Sequence, residues 1–178
     1  MNTPSVVGFQ SAADEFFGMA LRNEPLTKAD LWRFRELLIR LLFHIPAVES
    51  HQHGANFDGL RIGEEEFGRA VTRFGGLPFN FYRVVFNPHD FEADDEPVTG
   101  MLANDLADIY RDLAEGIDNA RNGHIDDACF DWSHSYVSHW SRHAVNALAA
   151  IELFRTDNYE RVEQGADGKT PKAPQPPQ

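Results

Sequence analysis

Apolar residues recur at intervals of three and four over four long stretches of the chain, and most of the Gly and Pro residues fall outside those stretches. From Ser5 to Leu21 the series Val6, Phe9, Ala13, Phe16, Phe17 and Ala20 keeps to one face of a helix. Glu24 and Pro25 end it, because a residue ahead of proline is pushed out of helical backbone. Thr27 followed by Asp30 resembles a capping box with Asp in place of Glu or Gln. It opens a second helix predicted from Lys28 to about Ile45, with Leu31, Phe34, Leu38, Leu41, Leu42 and Ile45 as its stripe. Pro46 lacks an amide hydrogen and is expected to stop it.

After Ala47 the periodicity fades among glycines and prolines, and only Glu64 to Phe74 reads as a short helix. The run Phe79 to Phe86, FNFYRVVF, is aromatic and β-branched. It reads as a short strand or as an extended segment laid over the core, with no evident strand to join. Pro97 suits the first turn of a third long helix reaching about Asn122, with Leu102, Leu106, Ile109, Leu113, Ile117 and Ala120 as its seam and Gly123 as its stop. A fourth starts near Asp126 and reaches Phe154, its seam being Cys129, Trp132, Tyr136, Trp140, Ala147, Ile151 and Phe154. The pattern predicts an all-α fold: a single domain over 1–161, built as an antiparallel bundle of four long helices around an irregular, aromatic-rich connection. Residues 162–178, rich in Pro and Gln, are too poor in apolar side chains to repay ordering and are expected to form a disordered tail.

A length of 178 residues with 14 Phe suffices for one core. No stretch approaches the roughly 18 apolar residues of a membrane span, so no membrane association is expected. Asp14 and Glu15 interrupt the first apolar run, which has no basic start, and this fits neither an export signal nor a transit peptide. Cys129 is the single cysteine, which excludes an intrachain disulfide. A cytoplasmic location is the expectation. The net charge of -12 is local, since 88–127 holds 12 acids against two bases, Arg111 and Arg121. Such a surface repels phosphate backbones, and nucleic-acid binding is not expected.

Helical projection places Asp105, Asp112 and, further round, Asp108 along one edge of the third helix's seam. On the fourth helix His143 sits at the shoulder of the apolar face, with His139, Asn146, Ser135 and Arg142 further out on the same side. If the two edges meet, the carboxylates register the helices against imidazoles and a guanidinium, or they form a binding edge made of Asp105, Asp108, Asp112, Arg142 and Asn146. His139 and His143, one turn apart in HWSRH, are also candidate ligands for one divalent metal ion, with His44 as a conceivable third. Glu49, His51 and His53 form a second, weaker candidate in the loop ESHQH. His89, Asp90 and His124 read as turn or cap residues, His134 as solvated, and Cys129 as inert packing. A phosphate-cradling glycine loop, a nucleophile elbow and a zinc-protease helix motif are all missing.

The stretches EPVTGMLANDLADIYRDLAEGI and DDACFDWSHSYVSHWSRHAVNALAAI resemble an uncharacterised bacterial family, domain of unknown function 5063. The helix LWRFRELLIRLLF is similar to that family's N-terminal half. The resemblance implies a small bacterial cytoplasmic domain with a helical core and assigns no activity, cofactor or site residue. The leading expectation is therefore a non-enzymatic helical interaction module without a cofactor, binding a protein partner or itself through its acidic face. The alternative is a metal-dependent hydrolase or transferase whose His and Asp ligands lie between the third and fourth long helices.

Overall fold

The computed structural model describes residues 3–49, 58–85, 87–90, 92 and 96–163, and of 158–163 the backbone alone. In chain order these form α1 (Val6–Leu21), α2 (Lys28–Glu49), α3 (Glu64–Phe74), β1 (Phe81–Val84), β2 (Val98–Met101), α4 (Leu102–Arg121), α5 (Ile125–Ser135), a π-helical turn (Tyr136–Trp140) and α6 (Ser141–Glu163). The fold is mostly helical, with one small sheet. The expected loop ligands His51 and His53, the acids Asp94 and Asp95, and tail residues 164–178 lie outside the described residues. No helix among the described residues is long and apolar enough to cross a membrane.

Local chemistry sets several boundaries. Ser5 caps α1 by accepting from the Gly8 amide at 3.1 Å. The box at the start of α2 closes in both directions: the Thr27 amide donates to Asp30 Oδ2 at 2.8 Å, and the Asp30 amide to Thr27 Oγ1 at 3.3 Å. Gly123 takes φ 87°, a left-handed position that glycine adopts without a Cβ penalty. There the His124 amide reaches the Asn119 carbonyl at 2.9 Å and the Gly123 amide reaches Ala120 at 3.1 Å, the paired bonds of a Schellman stop.

Elsewhere tertiary contacts override the local pattern. α2 runs through Pro46 to Glu49, because Ile45 and Val48 on either side are 5% and 0% exposed and their burial outweighs one missing amide near the helix end. Val98–Met101 is a strand rather than the first turn of a helix. It pairs antiparallel with Phe81–Val84, so the aromatic run does have a partner, with Tyr82 opposite Gly100. The start of α4 is then capped from a distance, Asn80 accepting the Leu102 amide through its carbonyl at 2.7 Å and the Ala103 amide through its side chain at 2.8 Å.

The expected fourth long helix is also not one regular helix. Trp132 and Trp140 are both 0% exposed although eight residues separate them. Two α-turns return after about 7.2 residues, so the added residue of the π turn brings both indoles to the same side. Phe9 of α1 packs on them, at 5.0 Å from Trp132 and 6.2 Å from Trp140 between ring centroids. The Trp140 indole donates to the Trp132 carbonyl at 3.3 Å, and the Trp132 indole to the Leu113 carbonyl at 3.2 Å. Gly116 makes room for that contact, since a Cβ there would stand 2.4 Å from Trp132 Nε1. α4 lies at the centre, in contact with α1, α3, α5 and α6, and its seam residues Leu102, Leu106, Ile109, Leu113 and Ile117 are at most 1% exposed.

Candidate metal centre

Carboxylates at 105, 108 and 112 follow the three- and four-residue step of α4, and the π turn delivers His139 one turn ahead of His143 on α6. The two polar edges meet. His143 Nδ1 lies 2.8 Å from Asp105 Oδ1, and His139 Nδ1 lies 2.6 Å from Asp112 Oδ2. An ionised carboxylate only accepts, so each pair places an imidazole proton on Nδ1, and in the neutral ring the lone pair is then on Nε2. His143 Nε2 faces Asp108 Oδ2 at 3.7 Å, and the two rings cross at 4.8 Å between centroids. Asp108, His139 and His143 can each offer one ligand atom such that all three lie within 4.8 Å of one another.

Buried neighbours hold these groups in place. Tyr82 on β1 donates its hydroxyl to Asp105 Oδ2 at 2.5 Å. Burial, reinforced by Asp105, pushes the Tyr82 hydroxyl far above its ordinary range, so it stays a donor. Its ring lies against Gly100, where a Cβ would come within 2.5 Å of it. Asn104 donates to Asp108 Oδ2 at 2.6 Å and Arg111 to Asp108 Oδ1 at 2.6 Å, while the Arg111 guanidinium covers the Phe67 ring at 4.3 Å. Asp105 and Asp108 are 7% and 4% exposed, and Asn104, Arg111 and Tyr82 leave neither carboxylate bare. The Asp105 hydrogen bond, aided by the charges of Asp108, Asp105 and Asp112, outweighs burial and raises the His143 pKa above 6.5. Burial raises Asp112 above the ordinary carboxylate value despite its bond to His139.

The other candidates lie apart from this array. His44 belongs to the contact between α1 and α2: its Nδ1 accepts the Ser5 amide at 3.0 Å and its ring presses on Gly8, where a Cβ would sit 2.3 Å away. It is not part of the three-residue group. Arg142 and Asn146 line a separate hollow with Val85, Pro88 and Val145. Cys129 is buried, and burial pushes its thiol up to about 11. His134 is exposed and stacks on Phe130 at 5.6 Å, and Asp90 closes a turn through its amide to Asn87 at 3.0 Å. Sequence reasoning missed Tyr82, Asn104 and Arg111. The last two stand four and three residues from Asp108 on one helix, a spacing that marks side-chain partners, whereas nothing local ties Tyr82 to Asp105.

Fold and site together define a mostly helical domain with a His–Asp array between two helices. The chain belongs to the family described as a domain of unknown function (DUF5063), whose model matches residues 64–157. That span includes every member of the array. The chain is similar in fold to the crystal structure of protein BF1032 from Bacteroides fragilis, with a TM-score of 0.62 and 17% identity over 82% of this chain and 89% of that one. No curated protein matches the sequence.

Proposed function

We propose that this protein binds one divalent transition metal ion through Asp108 and the Nε2 atoms of His139 and His143, as a metal-dependent hydrolase or transferase. One observation carries the reading: both imidazoles are tied by Nδ1 to a carboxylate, and Asp108, His139 and His143 can each bring one ligand atom within 4.8 Å of the others. Carboxylate–histidine pairs of this kind fix the tautomer and orientation of metal-ligating histidines. Two nitrogens and one oxygen suit zinc or a neighbouring first-row ion, and a set of three leaves a coordination position for water or substrate. Two ligand atoms on a tetrahedral ion stand about 3.4 Å apart, so the 3.7 Å between His143 Nε2 and Asp108 Oδ2 needs little adjustment. An ion held there supplies Lewis-acid polarisation and a water of lowered pKa. The side chain of His139 is 42% exposed, which gives the group access to solvent.

The acidic-face docking module is less well supported. Asp105 and Asp108 already have side-chain partners and are buried, so a basic surface would meet Glu92, Glu96 and Asp126 instead. The four-helix antiparallel bundle is the architecture we propose for the helical core, with α5, the π turn and α6 together as its fourth member. Metal analysis of untagged protein purified without chelator tests the proposed function. One equivalent of metal in the natural chain, lost in His143→Ala and in Asp108→Ala, is the expected result. Less than a tenth of an equivalent, with no uptake on adding zinc or manganese, overturns it.

A further inference from the structure

The outward side of α6 carries an apolar row. Val145, Ala149 and Leu153 follow one another at four-residue steps, which keeps them on one side of the helix. All three are exposed, Val145 at 53% and Leu153 at 68%, while Ala144, Ala147 and Ile151 are buried on the opposite side. Single exposed apolar residues need no explanation, but a row of them beside a hollow does.

The hollow has a volume of about 260 Å³ and is lined by Val85, Pro88, Ser141, Arg142, Val145 and Asn146, so it lies at the first half of the row. Leu153 protrudes from the second half. The two features are placed evenly about Ala149, with Val145 four residues before it and Leu153 four after, each about 6 Å along the axis. Arg142 and Asp157, both exposed and of opposite charge, stand at the two ends of the same stretch.

We propose that this face binds a second copy of the chain, with the two α6 helices packed antiparallel about a two-fold axis at Ala149. Such an axis turns the protrusion of each copy into the hollow of the other. At about 100° per residue, Leu153 of one copy falls between Arg142, Val145, Asn146 and Ala149 of the other, a four-residue hole of the kind that receives a knob in helix packing. The same rotation brings Asp157 of one copy beside Arg142 of the other, and it does so twice. The small side chain of Ala149 on the axis lets the helices approach. Because hollow and protrusion share one face, the contact closes on itself as a dimer instead of continuing as a filament. The shared stretch is roughly 24 Å of helix, a small interface between chains that each carry a net charge of -12, so the dimer is expected to be weak, dissociating at micromolar concentrations. None of the contact residues belongs to the group of Asp108, His139 and His143, so the face stands whether or not that group holds a metal.

Sedimentation velocity of the full chain, with chelator present and from micromolar to millimolar concentration, tests the proposal. A monomer–dimer equilibrium is expected. Leu153→Asp is expected to raise its dissociation constant about thirtyfold or more, since it replaces the central knob by a charge, with an unchanged melting temperature for the dilute monomer because Leu153 is exposed. Val7→Asp, at a 77% exposed site on α1, leaves the dimer unchanged. Arg142→Glu weakens the dimer, and adding Asp157→Arg restores it. Ala149→Cys places two thiols at the axis, and mild oxidation with diamide is expected to join them into a covalent dimer, while the buried Cys129 of the natural chain gives none. A monomer at every concentration, growth beyond a dimer, an equal loss with Val7→Asp, no loss with Leu153→Asp, no restoration by Asp157→Arg, or no covalent dimer of Ala149→Cys would overturn the proposal.

Discussion

The ion pairs that join α1 to α2 and those that join α4 to the π turn and α6 set carboxylates against cations of different kinds. Between α1 and α2, Glu15 accepts from Arg33, and from Arg40 at 3.0 Å, at a rim where its side chain is 35% exposed. Where α4 meets the π turn and α6, Asp105, Asp108 and Asp112 face His143 and His139, and the carboxylate side chains are only 6% to 15% exposed. Arginine keeps its charge at any ordinary pH, so the first cluster can only register two helices. An imidazole can give up its proton, and a metal ion can take the vacated place. The pKa directions reflect the contrast: the Arg33 and Arg40 hydrogen bonds lower Glu15, whereas His143 is raised chiefly by Asp105.

The contrast can be broken by mutation, and the largest effect is expected at the histidines. His143→Ala should lower zinc affinity by more than the roughly hundredfold cost of losing an outer partner of a metal ligand, as measured by competition against a chromophoric chelator. Gly116→Ala comes next, because its Cβ would stand 2.4 Å from the fully buried Trp132 indole. It should cost about 1–3 kcal/mol of stability by overpacking, read from urea unfolding. Gly8→Ala makes the same test in the other region and should cost less, since the half-buried His44 ring can swing away from it.

Tyr82→Phe keeps the ring packed on Gly100 and removes only the hydroxyl on Asp105. It should weaken zinc about tenfold with its urea midpoint nearly unchanged. Glu15→Gln should have the smallest effect, under about 1 kcal/mol for a rim ion pair. Its signature is a pH dependence of definite sign. The Glu15 pKa is lowered on folding from 4.5, so its contribution is present above that value and lost as pH falls through the folded pKa. Glu15→Gln should flatten that acid limb. His143 carries the opposite sign: its folded pKa lies above 6.5, so in metal-free protein its contribution is complete below that value and lost as pH rises through the folded pKa.

Elements set by neighbours in sequence were legible before the structure. The box of Thr27 and Asp30, the bounds Glu64–Phe74 and the stop at Gly123 each depend on residues a few positions apart. Elements set by distant partners were not. Val98–Met101 becomes a strand only because Phe81–Val84 lies beside it, and α4 starts at Leu102 only because Asn80 supplies the cap. The π turn answers a packing demand, the joint burial of Trp132 and Trp140 against Phe9, that no uniform helical projection contains. The same division runs through the candidate site. Asp105, Asp108, Asp112, His139 and His143 stood out as polar edges of two helices, while Tyr82 reaches Asp105 only through the sheet.

The measurement closest to the central claim is a histidine-selective nitrogen NMR spectrum of the full chain, with and without one equivalent of zinc. The account predicts that His139 and His143 keep their protons on Nδ1 while both Nε2 resonances shift together and saturate at one zinc per chain, with His44, His124 and His134 unmoved. Contradiction would be an unchanged pair of Nε2 resonances, or zinc-induced shifts confined to other histidines.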